Sequence, residues 1–259
     1  MNSILFDIGA TKIRIAYSEN GEFFEEPKVI YTPKDSLENF LKLFEDIVKE
    51  VTKNREIKVI VGGMTRSIPF ITPEELKIKL SSIFGVPVIL ENDAAVVGLG
   101  EAHWGAGRNF NIVAYITVST GVGGARIVGG KIDERAIGFE PGKQIINISP
   151  IQTLEDLISG KALEARTNQK PKDITDQEIW DDHARKLAIG LNNIIAHWSP
   201  DCVVLGGSMI TGNPSIPMEK TEEYLKEVLK IYPKLPIIKK ADLGDFGGLY
   251  GALVLIKKQ

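Results

Sequence analysis

Residues 86–101 read VPVILENDAAVVGLGE, an apolar run that leads into a polar triplet and then into small residues. This pattern predicts a strand, Val86 to Leu90, that continues through Glu91, Asn92 and Asp93 into a helix. In an open α/β sheet, ligands bind outside the carboxyl ends of the strands, so Asn92 and Asp93 are candidates for an orienting amide and a general base. The alternative is helix capping, because Asn and Asp are both favoured N-cap residues.

Composition restricts the class of protein. The 259 residues are 43% hydrophobic and 25% charged, as expected of a soluble globular protein with one large domain or two small ones. A formal charge of −3 with dispersed lysines argues against nucleic-acid binding. The apolar run before Asp7 is too short for a signal peptide and no run is long enough for a membrane span, so we expect a cytoplasmic protein. Cys202 is the only cysteine and the histidines lack ligand spacing, so we expect no zinc site.

The first part of the chain, residues 1–105, predicts an N-terminal α/β lobe. Strand patterns cover Ser3 to Ile8, Ile13 to Ser18 and Phe23 to Tyr31, and they precede an alternation of helices and strands. A capping box of Asp35 with Glu38 is expected to open the first helix, and one of Thr72 with Glu75 the second.

The second part, residues 106–245, repeats this order with insertions. Strands are predicted from Ile112 and Gly123, followed by helices over 153–167 and 175–198, the latter opened by Thr175. The repetition suggests two similar α/β lobes with a cleft between them, and the final helix, residues 246–259, is expected to complete the first lobe.

Two glycine-containing turns have the character of phosphate-binding hairpins. Asp7 to Lys12 reads DIGATK, in which glycine permits close backbone approach, Thr11 and Lys12 offer a hydroxyl and a cation, and Asp7 is suited to hold hydrated Mg²⁺. Thr117 to Gly124 reads TVSTGVGG and has the same character. An ordinary hairpin is the alternative for each turn taken alone. A third glycine-containing segment, VVLGGS, would let a flat group such as adenine lie against the backbone, and a tight loop of an α/β domain is the alternative.

With these motifs the chain resembles the ROK family of sugar kinases, which have the two-lobed actin/hexokinase (ribonuclease H-like) fold. The segments DIGATK, ENDAAVVGLGE, TVSTGVGGARIVGGK, VVLGGS and LGDFGGLYGA are similar to the motifs of that family in their order. The resemblance covers residues 4–252 and implies transfer of the γ-phosphate of ATP, with Mg²⁺, to a hydroxyl of a hexose or hexosamine.

The resemblance also implies a role for individual residues. Asp93 is similar to the catalytic base, and Asn92 to a sugar ligand. The residues similar to the nucleotide contacts are Asp7, Gly9, Thr11, Lys12, Thr120, Gly121, Gly123, Gly206 and Gly207.

The sequence departs from the family on the acceptor side. The usual Glu-x-Gly-His segment reads Glu140-Pro141-Gly142-Lys143, so the glutamate is kept and the histidine is replaced. The cysteine-containing zinc loop is absent from the sequence, although Glu155 matches the glutamate that follows it and reaches the sugar. Glu140, Lys143 and Glu155 therefore complete the predicted sugar site. For Lys143, contact with a phosphate and a solvent-facing position in place of the lost ligand are the alternatives.

Two other functions stay open. A sugar-binding sensor with weak or no kinase activity is one, although regulators of this kind carry an N-terminal DNA-binding region and this chain opens on its first strand. A different small-molecule kinase of the same fold, such as a pantothenate kinase, is the other. The expected partner is a small-molecule sugar, with no nucleic acid and no membrane. The sequence leaves the oligomeric state open, with a homodimer as one option because dimers are common in the resembled family.

Overall fold

The chain folds into two compact α/β units. The computed structural model describes residues 1–257, so the last two residues of the predicted segment 246–259 lie outside that description. The first unit comprises Met1–His103 and the C-terminal segment that begins at Asp245, and the second comprises Trp104–Gly244. No helix within residues 1–257 is both long enough and apolar enough to cross a membrane.

The secondary structure alternates in type along both units. The strands are β1 Ser3–Ile8, β2 Lys12–Ser18, β3 Lys28–Tyr31, β4 Val59–Met64, β5 Val88–Asn92, β6 Ile112–Val118, β7 Val122–Val128, β8 Lys131–Ile132, β9 Ile145–Ile148, β10 Ile151–Thr153, β11 Cys202–Gly206 and β12 Ile237–Lys240. The helices are α1 Leu37–Thr52, α2 Pro73–Phe84, α3 Asp93–His103, α4 Leu154–Ile158, α5 Gly160–Thr167, α6 Gln177–Trp198, α7 Ser208–Thr211, α8 Met218–Val228 and α9 Gly247–Ile256.

The first unit is a five-stranded sheet with helices on both faces. Its strand order is β3-β2-β1-β4-β5, in which β2 is antiparallel to both β1 and β3, and β4 and β5 are parallel to β1. Successive side chains of a strand point to opposite faces. Phe6 of β1 accordingly packs with Phe44 of α1, whereas the adjacent Leu5 packs with Val96 of α3 and Leu253 of α9. Both faces of β1 are therefore covered, which explains why its residues are apolar except for Ser3 and Asp7.

Helices α3 and α9 cross at close range because glycine lies at their contact. A Cβ atom on Gly251 would lie 1.8 Å from the carbonyl oxygen of Val96, and one on Gly100 would lie 2.5 Å from that of Gly247. Contacts below 3.0 Å are not tolerated by real Cβ atoms. Helix packing therefore accounts for glycines of the GGLYGA segment without any ligand.

The second unit is built around a sheet with the order β12-β11-β6-β7-β8, and β9 and β10 form a separate two-stranded sheet. Strand β11 is parallel to β6 and β12, whereas β6, β7 and β8 are antiparallel. The long helix α6 covers one face, where Leu187 and Leu191 pack with Ile116 of β6 and Leu205 of β11. The hairpin of β9 and β10 was not predicted, because its segment contains no regular alternation of apolar and polar residues.

Two helices are capped one residue later than predicted. Ser36, and not Asp35, caps α1 by accepting a hydrogen bond from Asn39 N at 3.2 Å. Asp176, and not Thr175, caps α6 by accepting one from Glu178 N at 2.9 Å. Each predicted cap has a neighbour that is equally suited to capping, so the residue type alone does not select between them. The predicted capping box of Thr72 with Glu75 is confirmed for α2.

The segment predicted as one helix over 153–167 consists of two, α4 and α5. Ser159 lies between them in an extended conformation with ψ of 152°. Its hydroxyl accepts a hydrogen bond from Ala162 N at 3.2 Å, so it caps the second helix where the first ends. Because the apolar periodicity runs on through this break, the helix boundary is not visible in the pattern.

Candidate active site

Two carboxylates of the first unit lie at the same edge of its sheet. Asp7 is the penultimate residue of β1, and Asp93 follows directly after β5 as the first residue of α3. Register brings Asp7 opposite Gly63 of β4, and Gly63 opposite Glu91 of β5. The two aspartates are close enough for the charge of Asp93 to raise the pKa of Asp7. The carboxyl ends of these parallel strands therefore form an acidic site of the kind expected from the sequence.

Asn92 and Asp93 have different local roles. Asn92 Oδ1 accepts a hydrogen bond from Ala95 N at 3.1 Å, which is the bond an N-cap residue makes. Asp93 Oδ1 accepts one from Ala94 N at 2.9 Å. A Cβ atom on Gly63 would lie 2.9 Å from Asp93 Cα, so the glycine of β4 is required for the backbone of Asp93 to lie where it does. Asn92 thus performs the capping that was the alternative explanation for either residue.

Arg14 joins two aspartates and was not identified from the sequence. Its Nη1 lies 3.2 Å from Asp7 Oδ2, and its Nη2 lies 3.4 Å from Asp245 Oδ1. Lys12 Nζ also contacts Asp245, with its Oδ2 at 3.1 Å. Arg14 is paired with Asp7 across strands β1 and β2, a relation that only the strand register reveals. Its Nε is buried and lacks a hydrogen-bond partner among the described residues.

The environment of Asp7 opposes its ionisation. The pKa of its carboxyl is raised to about 7, mainly by burial. Arg14 opposes this rise, and the charges of Asp93 and Asp245 add to it. The N-terminal end of α9 lies against the same carboxyl group, because a Cβ atom on Gly248 would lie 2.6 Å from Asp7 Cγ. A cation beside Asp7 would stabilise the ionised form, so this residue fits the expected role of holding hydrated Mg²⁺. Within residues 1–257, no cluster of three or more acidic, His or Cys side chains could bind a metal ion directly.

The DIGATK turn has an ordered backbone and an open surface. Gly9 N donates to Lys12 O at 3.0 Å, and Thr32 braces the turn with two bonds, from its Oγ1 to Gly9 O at 2.8 Å and from its N to Thr11 O at 3.0 Å. Thr11 is exposed. A Cβ atom on Gly9 would lie 3.4 Å from Lys12 O, which is an ordinary contact. The fold itself therefore does not require glycine at residue 9.

The corresponding turn of the second unit, residues 119–121 between β6 and β7, is held from two sides. Gly160 N, at the start of α5, donates to Ser119 O at 2.7 Å, and Ser119 Oγ lies 3.1 Å from Ser208 Oγ of α7. Thr120 at its tip is exposed, and Gly123 follows in β7. The turn is thus fixed in place while its tip faces solvent.

Lys143 and Glu155 form an ion pair next to this turn. Lys143 Nζ lies 2.5 Å from Glu155 Oε1, and Val122 N donates to Glu155 Oε2 at 2.8 Å. The hydrogen bond to Glu155 raises the pKa of Lys143, so the lysine is an ammonium ion at neutral pH. Glu140 is exposed and accepts a backbone hydrogen bond from Lys143 N at 3.0 Å across a 3₁₀ turn, Pro141–Lys143. The structure therefore brings three of the residues predicted for the sugar, Glu140, Lys143 and Glu155, into one region of the second unit.

Gly206 and Gly207 are required by close packing on β6. A Cβ atom on Gly207 would lie 2.3 Å from Val118 O, and its φ of 86° is one that favours glycine. A Cβ atom on Gly206 would lie 2.7 Å from the hydroxyl oxygen of Tyr115. These contacts account for both glycines structurally, and their predicted contact with a nucleotide stays a prediction.

The fold and the carboxylates at the strand ends define the class of protein, which comparison with solved structures identifies as the actin/hexokinase-like kinases. The ROK hexokinase from Thermus thermophilus superposes with a TM-score of 0.81 at 26% identity, and all of both chains is covered. A ROK family glucokinase from Streptomyces griseus, solved with glucose and AMPPNP, shares the fold with a TM-score of 0.80 at 21% identity over all of both chains.

The chain belongs to the ROK family, whose model matches residues 4–259. Among curated proteins it is similar to the N-acetyl-D-glucosamine kinase of Escherichia coli O127:H6. The two are 27% identical over an alignment of 297 positions that covers 96% of this chain and 97% of that one. The family, this relative and the Thermus hexokinase support a carbohydrate kinase.

Proposed function

We propose that this protein is an ATP-dependent sugar kinase that transfers the γ-phosphate to a hydroxyl of a hexose or hexosamine, with Asp93 as the general base. The observation that carries the proposal is the position of Asp93, at the carboxyl end of β5 and the start of α3, close enough to Asp7 to affect its pKa. The names of the relatives agree with this acceptor class, since one acts on N-acetyl-D-glucosamine and one was solved with glucose.

Asp93 would accept the proton of the attacking hydroxyl. As the sugar oxygen bonds to the γ-phosphorus, the bond from that phosphorus to the bridging oxygen breaks and ADP departs. Because phosphoryl transfer needs mainly alignment, charge stabilisation and a proton acceptor, one positioned carboxylate suffices as the base. Asn92 uses its Oδ1 to cap α3, which leaves the Nδ2 group as the donor suited to a sugar hydroxyl.

The nucleotide contacts are proposed for residues with little side-chain bulk or with donor groups. Gly9, Thr11 and Lys12 of the first turn, Thr120, Gly121 and Gly123 of the second, and the pair Gly206 and Gly207 form this set. Mg²⁺, when bound, neutralises charge on the β- and γ-phosphates. Asp7 is the residue that would hold it, through water, because burial raises the pKa of its carboxyl and an adjacent cation would stabilise the ionised form.

The acceptor contacts are proposed for Asn92, Glu140, Lys143 and Glu155. Lys143 stands where the family has a histidine. It supplies a positive charge at that position but, unlike histidine, is not suited to bind zinc.

A coupled ADP-release assay with a panel of acceptors tests the proposal. We expect turnover with at least one hexose or hexosamine and none with pantothenate. Turnover with pantothenate alone would replace the proposal by the pantothenate kinase alternative. Sugar binding by calorimetry without ADP release would favour the sensor.

A further inference from the structure

The residues around the 119–121 turn show how its position is determined. Val122, directly after the turn, is 3% exposed. Both its N–H group and its carbonyl oxygen are in close contact with other segments of the unit. Its N–H donates to Glu155 Oε2 at 2.8 Å. Its carbonyl oxygen is approached so closely by the Pro141–Lys143 turn that a Cβ atom on Gly142 would lie 2.2 Å away. The start of β7 is therefore held between the 3₁₀ turn and Glu155.

Glu155 is held in place by the rest of its helix. Leu154 and Ile158 of α4 are fully buried, and Thr153 and Asp156 form a capping box. Leu154 lies so close to α6 that a Cβ atom on Gly190 would be 2.6 Å from its Cδ2. A side chain that projects from such a fixed helix is suited to hold the 119–121 turn in position.

The carboxylate of Glu155 is also fitted to the turn itself. A Cβ atom on Gly121 would lie 2.8 Å from Glu155 Oε2, so the oxygen packs directly on the backbone of the turn. A negative charge at this distance from a phosphate-binding turn would repel the phosphates. Lys143 Nζ, 2.5 Å from Oε1, compensates that charge.

We infer that Glu155 is a positioning residue that fixes the 119–121 turn through the amide of Val122, and that Lys143 offsets its negative charge so that the turn can accept a polyphosphate. The inference rests on the proposed function, in which this turn contacts the nucleotide. It adds an effect on binding of the donor to the sugar contact proposed for both residues.

The affinity for Mg·AMPPNP, measured by calorimetry without sugar, tests the role of Glu155. Glu155→Ala removes the acceptor of the Val122 amide, and we expect roughly 10-fold weaker binding. Glu155→Gln keeps an acceptor oxygen for that amide, so affinity is expected to be restored to near the wild-type value. Glu164→Ala, at an exposed glutamate of α5, is the matched control, and thermal unfolding verifies that each variant is folded.

A double-mutant cycle tests the role of Lys143. Lys143→Met removes the ammonium group and keeps much of the side-chain length. We expect it to weaken Mg·AMPPNP binding in the wild-type background, where the Glu155 charge is left without compensation. In the Glu155→Gln background no such charge exists, and the same substitution is expected to have no effect.

The outcomes separate this inference from the proposed function. Wild-type affinity in Glu155→Ala together with a raised sugar KM would overturn the inference and leave the sugar kinase intact. Equal losses in Glu155→Ala and Glu155→Gln would also overturn it, as would an equal effect of Lys143→Met in both backgrounds. Failure of the wild-type protein to bind Mg·AMPPNP would overturn the proposed function and, with it, the inference.

Discussion

At the scale of single residues, Asp7 destabilises the folded chain at neutral pH. Burial raises its pKa from 3.8 to about 7, against the opposing effect of Arg14. The folded state therefore binds the proton more tightly than the unfolded state. The protonated carboxyl of Asp7 makes its full contribution to stability below the unfolded-state pKa. That contribution is lost as the pH rises through the folded-state pKa of about 7.

We expect Asp7→Asn to remove this loss. The free energy of unfolding of the variant, relative to wild type, should increase by several kcal/mol between about pH 4 and about pH 8, since one unit of pKa shift corresponds to about 1.4 kcal/mol. Urea denaturation at a series of pH values measures it. Asp46→Asn, at an exposed carboxylate of α1, is the control. A relative stability of Asp7→Asn that does not change with pH would contradict the effect of burial.

Asn92→Ser separates capping from sugar binding. Serine is about as good an N-cap as asparagine, so the stability of α3 should be preserved, but the amide donor is lost. We expect the KM for the sugar to rise by roughly 10-fold, the size typical of one lost hydrogen bond with an unpaired partner. Steady-state kinetics on the sugar selected by the acceptor panel provide the measurement. An unchanged KM would leave Asn92 with capping alone.

The sequence predicted some of these residues and not others for a physical reason. Asp7 and Asp93 are visible because each is a charged residue at the end of an apolar strand. Arg14 is not, because its function depends on the cross-strand register that pairs it with Asp7. Asp245 belongs to the same network only through contacts with Lys12 and Arg14, which no local pattern encodes.

At the scale of elements, the DIGATK turn allows a test that leaves the fold unchanged. A Cβ atom on Gly9 meets only an ordinary contact, at 3.4 Å from Lys12 O, so Gly9→Ala should fold normally. If phosphate approaches the backbone there, the added methyl group intrudes and Mg·AMPPNP affinity falls, by about 10-fold if the lost contact is worth about 1.4 kcal/mol.

Calorimetry and thermal unfolding of Gly9→Ala measure the two effects separately. Gly138→Ala is the matched control, because a Cβ atom at Gly138 has no atom within 4 Å. Wild-type nucleotide affinity in a folded Gly9→Ala protein would exclude close phosphate approach at this turn.

The elements themselves were predicted better than their ends. The apolar pattern located β1 and β6 because most of their residues are buried, and the Thr72–Glu75 box located the start of α2. It failed at Ser159, where a break falls inside a continuous apolar pattern. At this break Gly160 N donates to Ser119 O, a contact between residues far apart in sequence that no local pattern encodes.

At the scale of the whole molecule, the α/β fold class and the ROK family followed from the order of motifs. Repetition of strand and helix patterns in two halves indicated two sheets, and the structure has one five-stranded sheet in each unit. The identity of the acceptor did not follow. It depends on the shape of a binding site to which Glu140, Lys143 and Glu155 are proposed to contribute, and the family's usual residues are partly replaced there.

The central claim is that this fold is a sugar kinase whose base is Asp93. Asp93→Asn tests it most directly, because the variant keeps the size of the side chain and an oxygen that can accept the hydrogen bond from Ala94 N. Steady-state kinetics of ADP release, with calorimetry of Mg·AMPPNP binding and thermal unfolding as controls, provide the measurement. We predict a decrease in kcat on the order of 10²-fold or more, with nucleotide affinity and stability preserved. A folded Asp93→Asn protein that phosphorylates its sugar at a rate near that of wild type would contradict the claim.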